Sequence, residues 1–524
     1  MAVLEGVAQD KYWIFFEDKG DVSHLTAEEI LSPRALERRA MQGVLIDGYD
    51  MPVNPAYLSS LKSRNIQMKR VSKWLNAVSA IMTREEVALV QHLPFVDHVE
   101  GIQSYELVLD ADINMPMECP DVEDADLPSR QLSMVNLDNL HEMNLTGEGV
   151  LVAVFDNGYF KVDELVGFQH LYENDQIKAT FDYVDEDQSL YHSCEHCRHG
   201  TYVFSILSAR DEEHGLVGSA PDADFILLRT ENDASETNQE EDNWVAAAEF
   251  ADSMGAQVFT TSLGYYKFDG GIGDYFPQDR DGNTSIITRA ADLAASRGIA
   301  VFNSAGNSGR TGITMPADGD SVMAIGAVDP CAEYATFSSQ GPSSDGQVKP
   351  DISAQGSGNF FLYPDGSLRR GGGTSFSCPI ASGLAACLIQ AYPSATNIQI
   401  YDALRQSASQ ANEPDELLGY GIPNAERAMD ILKETVQERR FLLFPNPAQR
   451  EFTIDLPRSI DRSSLKIEII DLMGRKLAAY NGFEGNERLQ LNLPTNIRPG
   501  HYIIRLWDDN TSENPLWQKL TVNR

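Results

Sequence analysis

The chain has 524 residues and a formal net charge of −37, from 78 acidic against 41 basic side chains. That length exceeds one hydrophobic core and predicts two to four domains. So acidic a balance excludes a nucleic-acid-binding protein, which needs a basic face. The plain reading is a solvated acidic surface, although acidic loops also suit calcium. No run of about 18 apolar residues is visible, so the sequence predicts no membrane-spanning segment.

The opening MAVLEGVAQDKYW lacks a basic region and a long apolar run, yet Gly6-Val7-Ala8 has the small-x-small look of a cleavage site. Residues 1–9 therefore read as the stub of a signal peptide whose start lies upstream. Residues 10–109 read as a small mixed domain. KYWIFF and HVEGIQSYELVL are rich in aromatic and β-branched residues, as strands are. In SPRALERRAMQ, Ser32 caps a helix whose first position is Pro33. TREEVALVQHL opens on a Thr83-x-x-Glu86 capping box. Residues 110–130, DADINMPMECPDVEDADLPSR, combine acids and prolines without apolar periodicity and read as a linker open to proteolysis.

Residues 131–435 alternate. GVLVAVFD, DFILLRT, AQVFTTSLG and GIAVFNSAG are short apolar runs expected of buried strands, and WVAAAEFADSMG and TSIITRAADLAASRG are helical stretches ending at glycine. The pattern predicts an α/β fold, a parallel sheet with helices on both faces. From 440 to 524, REFTIDLP, LKIEIIDLMG, RLQLNLP and HYIIRLWD alternate with Gly, Pro and Asn, which predicts a small β-sandwich.

Four polar residues stand where such a sheet meets its helices. Ser375, in GGGTSFSCPIASGLAACL, enters an apolar helix at the positive end of its dipole; by itself it reads as a cap or as a nucleophile. A nucleophile needs a base and an orienting group. His199 in RHGTYVFSIL opens a second apolar helix, and Asp156 in VAVFDNGY ends a buried strand. Asn307 in NSAGNSG follows a strand and offers an amide donor to a developing oxyanion. Alone, the histidine reads equally as a surface cap, and the aspartate and asparagine as turn residues. Their order, Asp…His…Ser, is the subtilisin order.

These blocks resemble the subtilisin-like serine proteases (subtilases): DNG at 156–158, HGT at 199–201, AGN at 305–307 and GTSFSCP at 373–379, supported by SAPDADFILLRT, VFTTSLG, YATFSSQGP and GYGIPNAERAM. The resemblance implies a serine endopeptidase with Ser375 as nucleophile, His199 as base and then acid, and Asp156 orienting the imidazole. Asn307 and the Ser375 amide would form the oxyanion hole. Ser262-Leu263-Gly264 would be an edge strand that pairs with an extended peptide. Ser377 and Ser382 would pack a buried helix. Two departures stand out: Tyr202 replaces a histidine common in the family, and Phe376-Ser377-Cys378 replaces the commoner Met-Ala-Thr.

The resemblance implies no cofactor for the chemistry and no catalytic metal; structural calcium is allowed, with no ligands assigned. QDRDGNTS has its glycine at the wrong offset for a calcium loop and reads as a helix cap. Cys194 and Cys197 in SCEHCRHG read as a local disulfide, a metal pair or free thiols, whereas Cys378 and Cys387 read as small core residues. The first domain resembles a subtilase propeptide, which would be cleaved between about 106 and 131 and act as an intramolecular inhibitor. FPNPAQREFTIDLP, IEIIDLMGRKL and LQLNLPTNIRPGHYIIRL resemble the C-terminal sorting domain of the type IX secretion system. That implies export through periplasm and outer membrane to the bacterial surface or beyond, with the secretion machinery as partner. A rival is a catalytically idle surface protein that binds peptides or glycans.

Overall fold

The computed structural model describes residues 10–102, 127–192, 194–232, 239–265, 275–438, 441–456, 460, 462–481, 488–508 and 515–523. The signal-peptide stub, the expected cleavage region up to residue 126 and the end of the HVEGIQSYELVL strand lie outside the described residues.

The first domain is a four-stranded antiparallel sheet in the order Gln67–Ser72, Ala77–Met82, Asp10–Phe16, Val96–Ile102. Its helices begin as their sequences require: Ser32 Oγ accepts the Ala35 amide ahead of Pro33–Gln42, and Thr83 with Glu86 closes the capping box of Arg84–Val90. Strand alternation divides its apolar residues between two partners. Ile14 and Phe16 enter the domain's own core, while Trp13 and Phe15 pack into a core shared with the next domain.

That next domain is built on seven parallel strands in the order Ile352–Gln355, Val322–Val328, Ala300–Ser304, Val258–Thr261, Leu151–Asp156, Asp224–Arg229, Ile177–Asp182. Every residue of Leu151–Asp156 is buried. Val152 and Val154 face one apolar cluster, which holds Thr374–Ala391 and His199–Ser208; Leu151, Ala153 and Phe155 face the other, beneath Gln239–Met254 and Ile286–Ser296. Burial on both faces explains the unbroken apolar runs. Among the described residues one helix, Thr374–Ala391, is long and apolar enough to cross a membrane. Its 18 residues have a mean hydropathy of 1.3, enough to cross a bilayer, but 89% of them are buried against the sheet, so it is a core helix.

Residues 441–523 form two antiparallel sheets, Leu442–Phe444, Glu451–Asp455, Arg488–Asn492 and Lys476–Asn481, Lys466–Ile470, Gly500–Trp507, Leu516–Val522. Phe452, Ile454 and Leu491 from one meet Ile467, Ile504 and Leu520 from the other, which makes the expected sandwich.

Candidate active site

Asp156, His199, Ser375 and Asn307 gather around the carboxyl ends of the central strands, where a parallel sheet places its ligands. Asp156 is the last residue of its strand and fully buried; His199 is the first of its helix and 8% exposed. His199 Nδ1 lies 2.8 Å from Asp156 Oδ1, which also accepts the Asn157 amide at 2.8 Å. An ionised carboxylate only accepts, so Nδ1 carries the proton and Nε2 is left basic. Asp156 Oδ2 is buried with no hydrogen-bond partner among the described residues. Close approach of the two loops fixes the glycine of HGT: a Cβ on Gly200 would lie 2.3 Å from the Gly158 carbonyl oxygen.

Ser375 sits in the first turn of Thr374–Ala391, and the near-parallel rings of His199 and Phe376, 6.4 Å apart, bring the imidazole beside that turn. Ser375 is tied to Ser262 in both directions. Its hydroxyl donates to the Ser262 carbonyl at 3.1 Å, and the Ser262 hydroxyl donates to the Ser375 carbonyl at 2.9 Å. The second bond has a cause in the sequence. Pro379 lies inside the helix four residues on and has no N–H for that carbonyl. Ser377 and Ser382 are fully buried and bond back to Thr374 and Pro379 carbonyls, as helix-packing serines do.

Asn307 Oδ1 accepts the Thr374 amide at 2.8 Å and the Thr374 hydroxyl at 3.0 Å. An N–H only donates, so this end of the amide must be oxygen and the other end the donor. A Cβ on Gly373 would sit 3.4 Å from Asn307 Nδ2 and 3.7 Å from the Ser375 amide. Glycine, at φ 155° and ψ 150°, keeps open the space between two donors.

Ser262, Leu263 and Gly264 continue Val258–Thr261 beyond the sheet. That strand lies between Leu151–Asp156 and Ala300–Ser304, and the segment itself lies past its last paired position, Thr261. Its Leu263 carbonyl accepts from the Asn303 side-chain Nδ2 at 3.0 Å.

Asn157, Thr374, Gly373 and Phe376 were not singled out as functional from sequence; each neighbours a motif residue, and spacing does not reveal the contacts it makes. The two departures meet behind the histidine: Tyr202 packs on Phe361 and Tyr363, and Phe376 on Phe361. Cys194 and Cys197 are joined in a disulfide, so their thiols are not metal ligands. Cys378 is buried and its thiol is pushed up to about 12 by that burial, an inert core group.

The QDRDGNTS loop caps a helix, since Ser285 Oγ accepts the Thr288 amide. Its Asp281 carboxylate accepts the Asn283 and Thr284 amides and the Thr284 hydroxyl. Among the described residues no three His, Cys, Asp or Glu side chains converge as they would around a metal ion.

Residues 147–421 match the Subtilase family, residues 11–114 the Peptidase S8 propeptide domain of Bacteroidota, and residues 442–523 the Secretion system C-terminal sorting domain. Among curated relatives, Subtilisin BL of Lederbergia lenta is 28% identical over 57% of this chain and 97% of its own length. The Thermostable alkaline protease of Halalkalibacterium halodurans is 28% identical over 57% of this chain and 72% of its own. Subtilisin E of Bacillus subtilis is 26% identical over 76% and 93%. Fold, family matches and relatives together define a serine endopeptidase, made with a propeptide and a type IX sorting domain and so secreted or carried on the cell surface. The chain belongs to the subtilase family. Its substrates are peptides, and the bond-breaking chemistry of the family needs no cofactor.

Proposed function

We propose that this chain is a zymogen whose mature form cleaves peptide bonds through Ser375, His199 and Asp156 by way of an acyl-enzyme. The observation that carries the reading is the 2.8 Å His199–Asp156 contact beside the first turn of the Ser375 helix. Ser375 Oγ attacks the scissile carbonyl while His199 Nε2 takes its proton, then returns it to the leaving amine. Asp156 holds Nδ1 protonated and faces the imidazolium; its fully buried charge has no nearer counter-charge once the ring is protonated. Asn307 Nδ2 and the Ser375 amide receive the oxyanion, a reading supported by the gap that Gly373 leaves between them. Ser262, Leu263 and Gly264 align the substrate backbone.

The first domain is the intramolecular inhibitor, released after cleavage between about 106 and 131. The last domain is read by the type IX secretion machinery.

A fluorophosphonate probe tests the chemistry. Processed protein is expected to label at Ser375, and Ser375→Ala to lose labelling together with peptide hydrolysis. Folded, processed protein that neither labels nor cleaves would leave a peptide-binding surface protein instead.

A further inference from the structure

The first domain touches more than the protease. Its helix Pro33–Gln42 is used on two sides. Arg34, Arg38 and Gln42, spaced four apart along one stripe, reach the subtilase domain through Asp224, Asp252 and the Ala395 carbonyl. Leu36 and Ala40 lie on another stripe and belong to an apolar cluster completed by Ile470, Leu472 and Ile503 of the sorting domain.

The sorting domain's own alternation shows why that cluster matters. Along Gly500–Trp507, Tyr502, Ile504 and Leu506 face the sandwich core. Ile503 points the other way, onto the outer face of the sheet, and is fully buried only because the first domain covers it. Trp517 packs on the same patch, against Gly43, where a Cβ would come within 2.8 Å of the indole. The Ile46 amide donates to the Leu472 carbonyl at 2.7 Å, and Lys519 pairs with Glu37 at the rim. The cluster includes no residue of the subtilase domain, whose Ser394 and Val436 instead line open clefts with Gln518 and Lys519 beside it.

We propose that the propeptide is the clamp that holds the sorting domain on the protease, so that its departure uncovers the Ile470–Ile503–Trp517 face. The occupant of this apolar surface in the zymogen is the first domain of the same chain. Maturation then does two things at once, opening the active site and freeing a sorting-domain surface for its next partner. This rests on the zymogen reading above.

Hydroxyl-radical footprinting of two full-chain preparations tests it: the Ser375→Ala protein, which cannot cleave itself, and wild type after processing and removal of the first domain. Oxidation at Trp517 and Met473 is expected to rise severalfold in the processed protein, while Tyr502, turned toward the sandwich core, stays protected. Trp517→Ala, and separately Lys519→Glu at the rim, are expected to shorten the activation lag, about tenfold for the loss of one anchoring aromatic. The kcat/KM of the mature enzyme stays unchanged. Processing that leaves Trp517 and Met473 as protected as before, or lags unaltered in both variants, would overturn the clamp alone. A chain that never processes would overturn the zymogen reading and the clamp with it.

Discussion

The two-way tie between Ser262 and Ser375 makes a sharp prediction about the proline behind the nucleophile. Ser262→Ala removes the hydroxyl that donates at 2.9 Å to the Ser375 carbonyl. Both residues are buried, at 3% and 8% exposed, so water does not readily replace it. A buried acceptor left unpaired costs about 1–3 kcal/mol. The peptide unit it anchors adjoins the Ser375 amide proposed above as an oxyanion donor, so on that proposal the loss appears in the transition state. At 1.36 kcal/mol per decade, kcat/KM falls by about 5- to 150-fold.

Pro379→Ala restores an N–H four residues after Ser375, where the helical ladder needs one. In that background the carbonyl has a second donor, and Ser262→Ala costs about 0.5 kcal/mol or less, a coupling of about 0.5 kcal/mol or more. The assay is kcat/KM on a peptide substrate for the four proteins of the cycle, normalised by active-site titration. Additive effects, with Ser262→Ala equally harmful in both backgrounds, would show that Pro379 has no bearing on that carbonyl and that the argument is wrong.

Glu249 of Gln239–Met254 accepts the Ser72 hydroxyl and the Lys73 and Trp74 amides from the first domain, at 2.5, 3.0 and 3.0 Å. Glu249→Ala is therefore expected to weaken inhibition by the first domain about 100-fold or more, the scale for stripping one partner from a buried charged contact. Progress curves of self-activation read the effect, and an unaltered lag would mean the turn is held by other contacts.

Burial raises the carboxyls of Asp292 and Asp318 from 3.8 to about 6. Both hold protons to higher pH in the folded chain than in the unfolded one. The stability they contribute is complete below 3.8 and is lost as pH rises through 6. Asp292→Asn keeps an acceptor for the Ser321 amide. It is expected to recover about 2 kcal/mol at pH 8 and nothing near pH 3.5, measured as thermal midpoints. An equal gain at both pH values would remove ionisation as the cause.

The strands of the protease sheet were legible because burial on both faces leaves only apolar residues in them. Asp156, His199, Asn307 and Ser375 were legible because each stands at an abrupt change from apolar run to polar loop. What sequence did not show is how those loops meet. Nothing in AGN or GTS reveals that the Thr374 amide turns Asn307 around, or that Gly373 leaves the gap its amide faces. The Gln67–Ser72 strand, QMKRVS, was not among the expected strands; only its Ser72 is buried, and its partners come from another domain, Arg70 bonding Asn243 at 3.0 Å and Ser72 bonding Glu249. The order of the strands in the sheet was not legible, because it is set by crossovers and not by the composition of any one strand.

PRALERRAMQ shows why the joins between domains were the least legible part. Its pattern is that of a surface helix, one apolar stripe and one basic one. Both are buried, with Arg38 at 2% and Arg39 at 0% exposed. Guanidinium groups are buried only where carboxylates meet them. Asp252 pairs with both Arg38 and Arg39, and Asp50 with Arg39 and with Arg297 from the protease. Apart from Arg39 and Asp50, 11 positions from each other, these partners are separated by 213 to 247 positions, and no local spacing pairs them. An ionic seam of this kind contributes little net free energy, because desolvation offsets attraction, yet it penalises any misfit strongly. The apolar contacts of Trp13, Phe15 and Trp74 supply the attraction, and the arginines fix the register. On the zymogen proposal, such a seam would hold the first domain in one orientation without the excess affinity that would prevent its release.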